Sequence, residues 1–101
     1  MPKQFGQWYT IEMEARGQSH ETAAEAVTRA GYPITRQGIS GWSLGTLPGP
    51  IALDALALAW GMSRGARLDA EDLIASDFRV PRTKREELLR EWHAVRKAVR
   101  S

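Results

Sequence analysis

The chain has no cysteine and only two histidines, His20 and His93. Without cysteine there can be no disulfide, thiol nucleophile or zinc finger. The two histidines fall in separate segments with no nucleophile motif nearby. No glycine loop of the phosphate-binding kind and no zinc-ligand spacing occur. The expectation is therefore a protein that is not an enzyme, with no cofactor, no metal and no small-molecule ligand. Asp69, Glu71, Asp72 and Asp77 are read as helix caps and dipole partners rather than as a metal site. Long apolar runs are also missing. The most apolar stretch, Ile51 to Trp60, is broken by Asp54 and is too short to span a bilayer, and Met1 to Gly6 lack an apolar signal core. A cytoplasmic protein with no membrane partner is expected. The two-residue alternation of a half-buried strand is absent as well, which predicts an all-α chain.

What is present fits one small domain, or a small domain with an appendage. The chain has 101 residues, 43% hydrophobic and 26% charged, so it can bury a core. The net charge of +2 hides an asymmetry. Residues 1–78 hold six Lys/Arg against nine Asp/Glu, a balance of −3, whereas residues 79–101 hold eight against three, a balance of +5. A basic tail of this kind meets an anion such as nucleic acid, an acidic protein surface, or only water as a solvated helix face.

Glycine and proline divide the chain into helical lengths. The first helix runs from about Phe5 to Arg16 and ends at Gly17. Ser19 caps the second, which reaches about Ala30 and is closed by Gly31-Tyr32-Pro33. Thr35 caps a short third helix, about Arg36 to Leu44, flanked by Ile34 and Ile39 at hydrophobic-staple positions. Pro50 opens the fourth helix. Asp69 is expected to cap a fifth, Ala70 to about Asp77. Val80-Pro81-Arg82 then reads as a hinge. Thr83 with Glu86 forms a capping box for a last helix striped by Leu88, Trp92, Val95 and Val99.

Two short helices joined by a turn suit a specific task when the second exposes small polar and basic groups. Such a helix fits the major groove of B-DNA. Thr35, Arg36, Gln37 and Ser40 are the candidate base-contacting residues. Arg36 can pair bidentately with guanine O6 and N7, and Gln37 with adenine N6 and N7. Gly38 and Gly41 permit close approach but lower helix propensity, so packing of Ile39 and Trp42 must hold the helix.

The sequence resembles the Cro/lambda-repressor-like helix-turn-helix family, often called XRE-like. The resemblance rests on Ser19-His20-Glu21-Thr22-Ala23-Ala24, Ile34-Thr35, Ile39-Ser40-Gly41-Trp42, Gly45, Pro48 and Leu53-Asp54-Ala55-Leu56-Ala57. It covers roughly residues 5–78 and implies a five-helix DNA-binding domain over residues 1–78. Residues 79–101 would add the hinge and a basic amphipathic C-terminal helix. The resemblance also implies that His20 contacts a phosphate and braces the recognition helix, and that Thr46 meets the DNA backbone. Two departures stand out. Ala30-Gly31-Tyr32-Pro33 lengthens the turn, and Ser43 replaces a glutamate common in the family, removing its ion pair to the first helix.

In the basic tail, Arg82, Lys84 and Arg85 are candidate phosphate contacts. The apolar stripe of the last helix could form a homodimer, dock on its own domain, or belong to a separate DNA-contacting unit. Leu88-Leu89-Arg90-Glu91-Trp92 followed by Arg96 resembles basic segments that follow the helix-turn-helix in some temperate-phage immunity repressors. The expected function is a sequence-specific repressor binding double-stranded DNA, such as a phage immunity repressor or Cro-like switch. The alternative is a protein-interaction module on the same fold, such as the antitoxin of a toxin–antitoxin pair.

Overall fold

The computed structural model describes residues 4–77 and 84–100, except the side chains of Arg85, Val99 and Arg100. The described residues form six helices and no strand: α1 (Gln4–Ala15), α2 (His20–Arg29), α3 (Arg36–Leu44), α4 (Pro50–Trp60), α5 (Arg64–Asp77) and α6 (Arg85–Arg100). None is long and apolar enough to cross a membrane. The proposed hinge at Val80-Pro81-Arg82, the Thr83 cap and the side chain of Val99 lie outside the described residues.

Local chemistry accounts for most helix ends. The Ser19 hydroxyl accepts from the Thr22 amide while the Thr22 hydroxyl accepts from the Ser19 amide, a reciprocal cap. Thr35 Oγ1 accepts from the Gly38 amide at 3.0 Å, and Pro50 is the first residue of α4. Gly45 ends α3 with φ 117°, a left-handed conformation that glycine adopts without penalty, and both it and Thr46 donate to the Gly41 carbonyl.

Two ends differ from expectation. α5 begins at Arg64, not Ala70, because Ser63 Oγ caps it by accepting from the Ala66 amide at 3.1 Å. Arg67 in the added turns pairs with Asp54 of α4 at 3.1 Å, which ties them to the core. Asp69 is consequently a mid-helix residue. Asp77, the last residue of α5, caps a different helix: its two oxygens accept from the Gln4 and Phe5 amides of α1 at 2.9 and 2.8 Å. These are orphan donors at the positive end of a helix dipole, where a carboxylate is favoured.

α1 packs on α3 and α5, α2 on α3 and α4, and α6 on α4 and α5. Phe5, Tyr9, Val27, Ile39, Leu53, Leu56 and Ile74 are fully buried at the centre. Around them Phe5, Trp8, Tyr9, Trp42 and Trp60 form a connected set of tilted, stacked and edge-on rings. Such contacts add to the stabilisation from burial itself. Gly6 lets α1 and α3 cross closely, since a Cβ there would sit 3.0 Å from the Ser43 carbonyl oxygen.

The stripe of α6 docks on the chain's own helices. Leu88 and Trp92 join the core cluster that contains Phe5, Leu53 and Ile74. The third member of the stripe is Arg96, only 4% exposed, while Val95 is 43% exposed. A charged side chain at this place on the inner side of the helix needs partners. Arg96 is buried because α4 and α5 present carboxylates to it: Glu71, 1% exposed, accepts from its Nη2, and Asp54 Oδ1 lies 3.2 Å from its Nε. Arg67 shares both carboxylates, at 3.1 Å from Asp54 and 4.0 Å from Glu71. Two cations and two anions therefore neutralise one another under α6.

Candidate nucleic-acid interface

The α2–α3 connection is longer than a minimal turn, yet it is held firmly. Ala30 ends the helix, Gly31 takes φ 115°, and the Tyr32 amide donates back to the Val27 carbonyl at 3.2 Å. Thr28 supplies the main clamp. Its hydroxyl donates to the Ile34 carbonyl at 3.1 Å and accepts from the Ile34 amide at 3.2 Å. One side chain on the last turn of α2 thus satisfies both backbone groups of the residue two before α3. Sequence patterning gave no sign of this, because a threonine late in a helix is ordinarily read as a solvated residue.

α3 is anchored from its inner side. Ile39 is fully buried and Trp42 is 3% exposed, with Trp42 edge-on to Tyr9 at 5.8 Å. Its outer side is open. The Arg36 and Gln37 side chains are exposed and make no hydrogen bond or ion pair with a described residue. Thr35 is also exposed, but its hydroxyl oxygen is committed to the cap of α3. Ser40 is half-buried and donates to the Gln37 carbonyl at 2.9 Å. Of the four candidate base-contacting residues, two therefore carry side chains wholly available to a ligand.

His20 is half-buried at the start of α2, with Nδ1 3.2 Å from the Tyr9 hydroxyl and its ring stacked on Tyr9 at 5.9 Å. Burial pushes the Tyr9 hydroxyl up from 10.0 to about 12, so it remains a neutral hydroxyl at ordinary pH. Because Tyr9 also abuts Trp42, a continuous packing path runs from His20 through α1 to α3. Thr46 is exposed just beyond α3, and its Oγ1 is 3.3 Å from where a Gly41 Cβ would be. Lys84 is exposed. Arg82 and the Arg85 side chain lie outside the described residues.

An open groove between α2 and α3 is lined by Glu21, Glu25, Thr28, Arg29 and Arg36, among others. Residues 20–46 hold two arginines and two glutamates, so this region has no net positive charge with neutral histidine. Electrostatic attraction to a polyanion would have to come from other parts of the chain. No group of His, Asp and Glu among the described residues could hold a metal ion.

No protein-family model, curated protein or solved structure matches the chain.

Proposed function

We propose that the chain is a sequence-specific repressor of the Cro/lambda-repressor-like class that binds double-stranded DNA, with α2 and α3 as its helix-turn-helix. The observation that carries this reading is the two-sided character of α3. One side is locked into the core through Ile39 and Trp42, and the other offers Arg36 and Gln37 at the helix start with no partner among the described residues. Rigid presentation matters because a bidentate pair discriminates bases only when donor and acceptor geometry is fixed in advance. Thr28 and the aromatic path behind Trp42 provide that rigidity.

In this mechanism α3 enters the major groove, Arg36 pairs with guanine and Gln37 with adenine, while Thr35 and Ser40 contribute short polar contacts. Gly41 keeps the middle of the groove-facing side low, whereas Gly38 makes room for Ile34, 3.1 Å from where a Gly38 Cβ would be. His20 and Thr46 contact phosphates at the ends of the motif, and Lys84 with Arg82 and Arg85 adds the charge that residues 20–46 lack. Repression follows from occupancy of the site. The Leu88–Trp92–Arg96 stripe is used within the chain, so a dimer would form through another surface.

Selection of bound duplexes from a random pool tests the proposal. A defined consensus, with affinity falling log-linearly in salt, is the expected result. A protein-interaction module is the second reading, favoured by the charge balance of residues 20–46. No enrichment from the pool and no steep salt dependence would select it instead.

A further inference from the structure

Leu44 is the most exposed large apolar residue described, at 85%. It terminates α3, and its direction is set by the buried residues of that helix. At about 100° per residue, the side opposite Ile39 and Trp42 runs through Gln37 and Leu44, with Ser40 and Gly41 between them. The groove-facing stripe of α3 thus has a polar reader at one end and an isobutyl group at the other. Its middle is low, since residue 41 is glycine, and the Ser40 hydroxyl already donates to the Gln37 carbonyl. Ser43 beside Leu44 likewise donates its hydroxyl to the Ser40 carbonyl, which leaves Leu44 as the only bulky group in the second half of the stripe.

We infer that Leu44 is a specificity-determining residue that packs against the C5-methyl group of a thymine. The inference rests on the DNA-binding reading given above. Among the bases only thymine presents an apolar group in the major groove, and apolar side chains recognise it by contact. Seven residues of helix separate Gln37 from Leu44, about 10.5 Å along the axis. That span corresponds to about three base pairs at roughly 3.4 Å each. The thymine therefore belongs about three base pairs from the position recognised by Gln37. Water offers an isobutyl group nothing at this place, whereas a methyl contact removes apolar surface of both partners from solvent.

The test combines a protein change with a single-atom-group change in the DNA. Duplexes are first selected with the wild-type chain, and Gln37→Ala locates the position whose preference relaxes. Each thymine about three base pairs away is then replaced by deoxyuridine, which lacks only the C5-methyl. Binding is measured for wild type and Leu44→Ala, an exposed substitution that raises helix propensity and leaves the core untouched. For wild type, one such replacement should weaken binding about fourfold, the equivalent of ~0.8 kcal/mol for one buried methyl. For Leu44→Ala the same replacement should change nothing. A consensus without thymine there, or equal losses for both proteins, overturns the inference while leaving the DNA-binding proposal intact. So does a Leu44→Ala chain that differs from wild type in self-association instead. Failure of the wild-type chain to prefer any duplex overturns both.

Discussion

Replacing Arg96 with alanine removes one cation from a buried four-charge cluster, and the structure sets the size of the effect. Glu71 is 1% exposed, its Oε2 has no hydrogen-bond donor among the described residues, and Arg96 Nη2 is the partner of its Oε1. Removing one member of a buried pair costs about 3–5 kcal/mol, because the remaining charge is left desolvated. Arg67 tempers this, since it stays 3.1 Å from Asp54 and 4.0 Å from Glu71. The expected loss is therefore near the lower end, about 3 kcal/mol, still a large fraction of a small domain's stability. Urea denaturation followed by circular dichroism measures it. The double variant Arg96→Met with Glu71→Gln should recover most of the loss, because neither charge remains unpaired. A change below about 1 kcal/mol in Arg96→Ala would refute the account, since it would mean that α6 does not dock through this cluster.

Other consequences follow from single contacts. Trp42→Ala should destabilise the chain by about 3–5 kcal/mol in denaturant melting, as truncation of a buried aromatic does. Thr28→Val keeps the shape but removes both hydrogen bonds to Ile34. It should cost about 1–2 kcal/mol in the same assay and lower DNA affinity by loosening the entry to α3. Tyr9 has its folded-state value raised above that of the unfolded chain, so the unfolded form loses this proton first as pH rises. Stability should accordingly fall between about pH 10 and 12, measured as the difference in unfolding midpoint between wild type and Tyr9→Phe. A difference that stays constant across that interval would show that the Tyr9 hydroxyl is not buried as described.

The parts of the fold legible in the sequence are those determined within a few residues. α3 runs from Arg36 to Leu44 as its cap, staple and terminal glycine predict, and α4 opens at Pro50. These signals are local, and nothing distant competes with them. The start of α5 was harder, because Gly65 weakens the apparent helix and Asp69 is also a competent cap. Its early start depends on Ser63 and on the pairing of Arg67 with α4. Arg96 illustrates a longer reach. On its own helix it continues the Leu88–Trp92 stripe, and Glu71 likewise accompanies Ala70 and Ile74 on the inner side of α5. Each looks misplaced alone. Twenty-five residues separate them, so only the packing of α6 reveals that they neutralise each other.

The candidate site divides in the same way. Exposure of Arg36 and Gln37 follows from the helical phase set by Ile39 and Trp42, so their availability could be anticipated. The commitment of the Ser40 hydroxyl to Gln37, the Thr28 clamp and the use of His20 Nδ1 by Tyr9 could not. Hydroxyl and imidazole groups accept several partners at similar cost, and only the folded geometry selects among them.

The central claim is that Arg36 and Gln37 recognise bases from a rigid helix. Equilibrium binding of wild type, Arg36→Ala and Gln37→Ala to a selected duplex and to a scrambled duplex tests it most directly. The account predicts that each substitution costs about 1–3 kcal/mol on the selected duplex, with little change on the scrambled one. Equal weakening on both duplexes would contradict it and reduce these side chains to phosphate contacts.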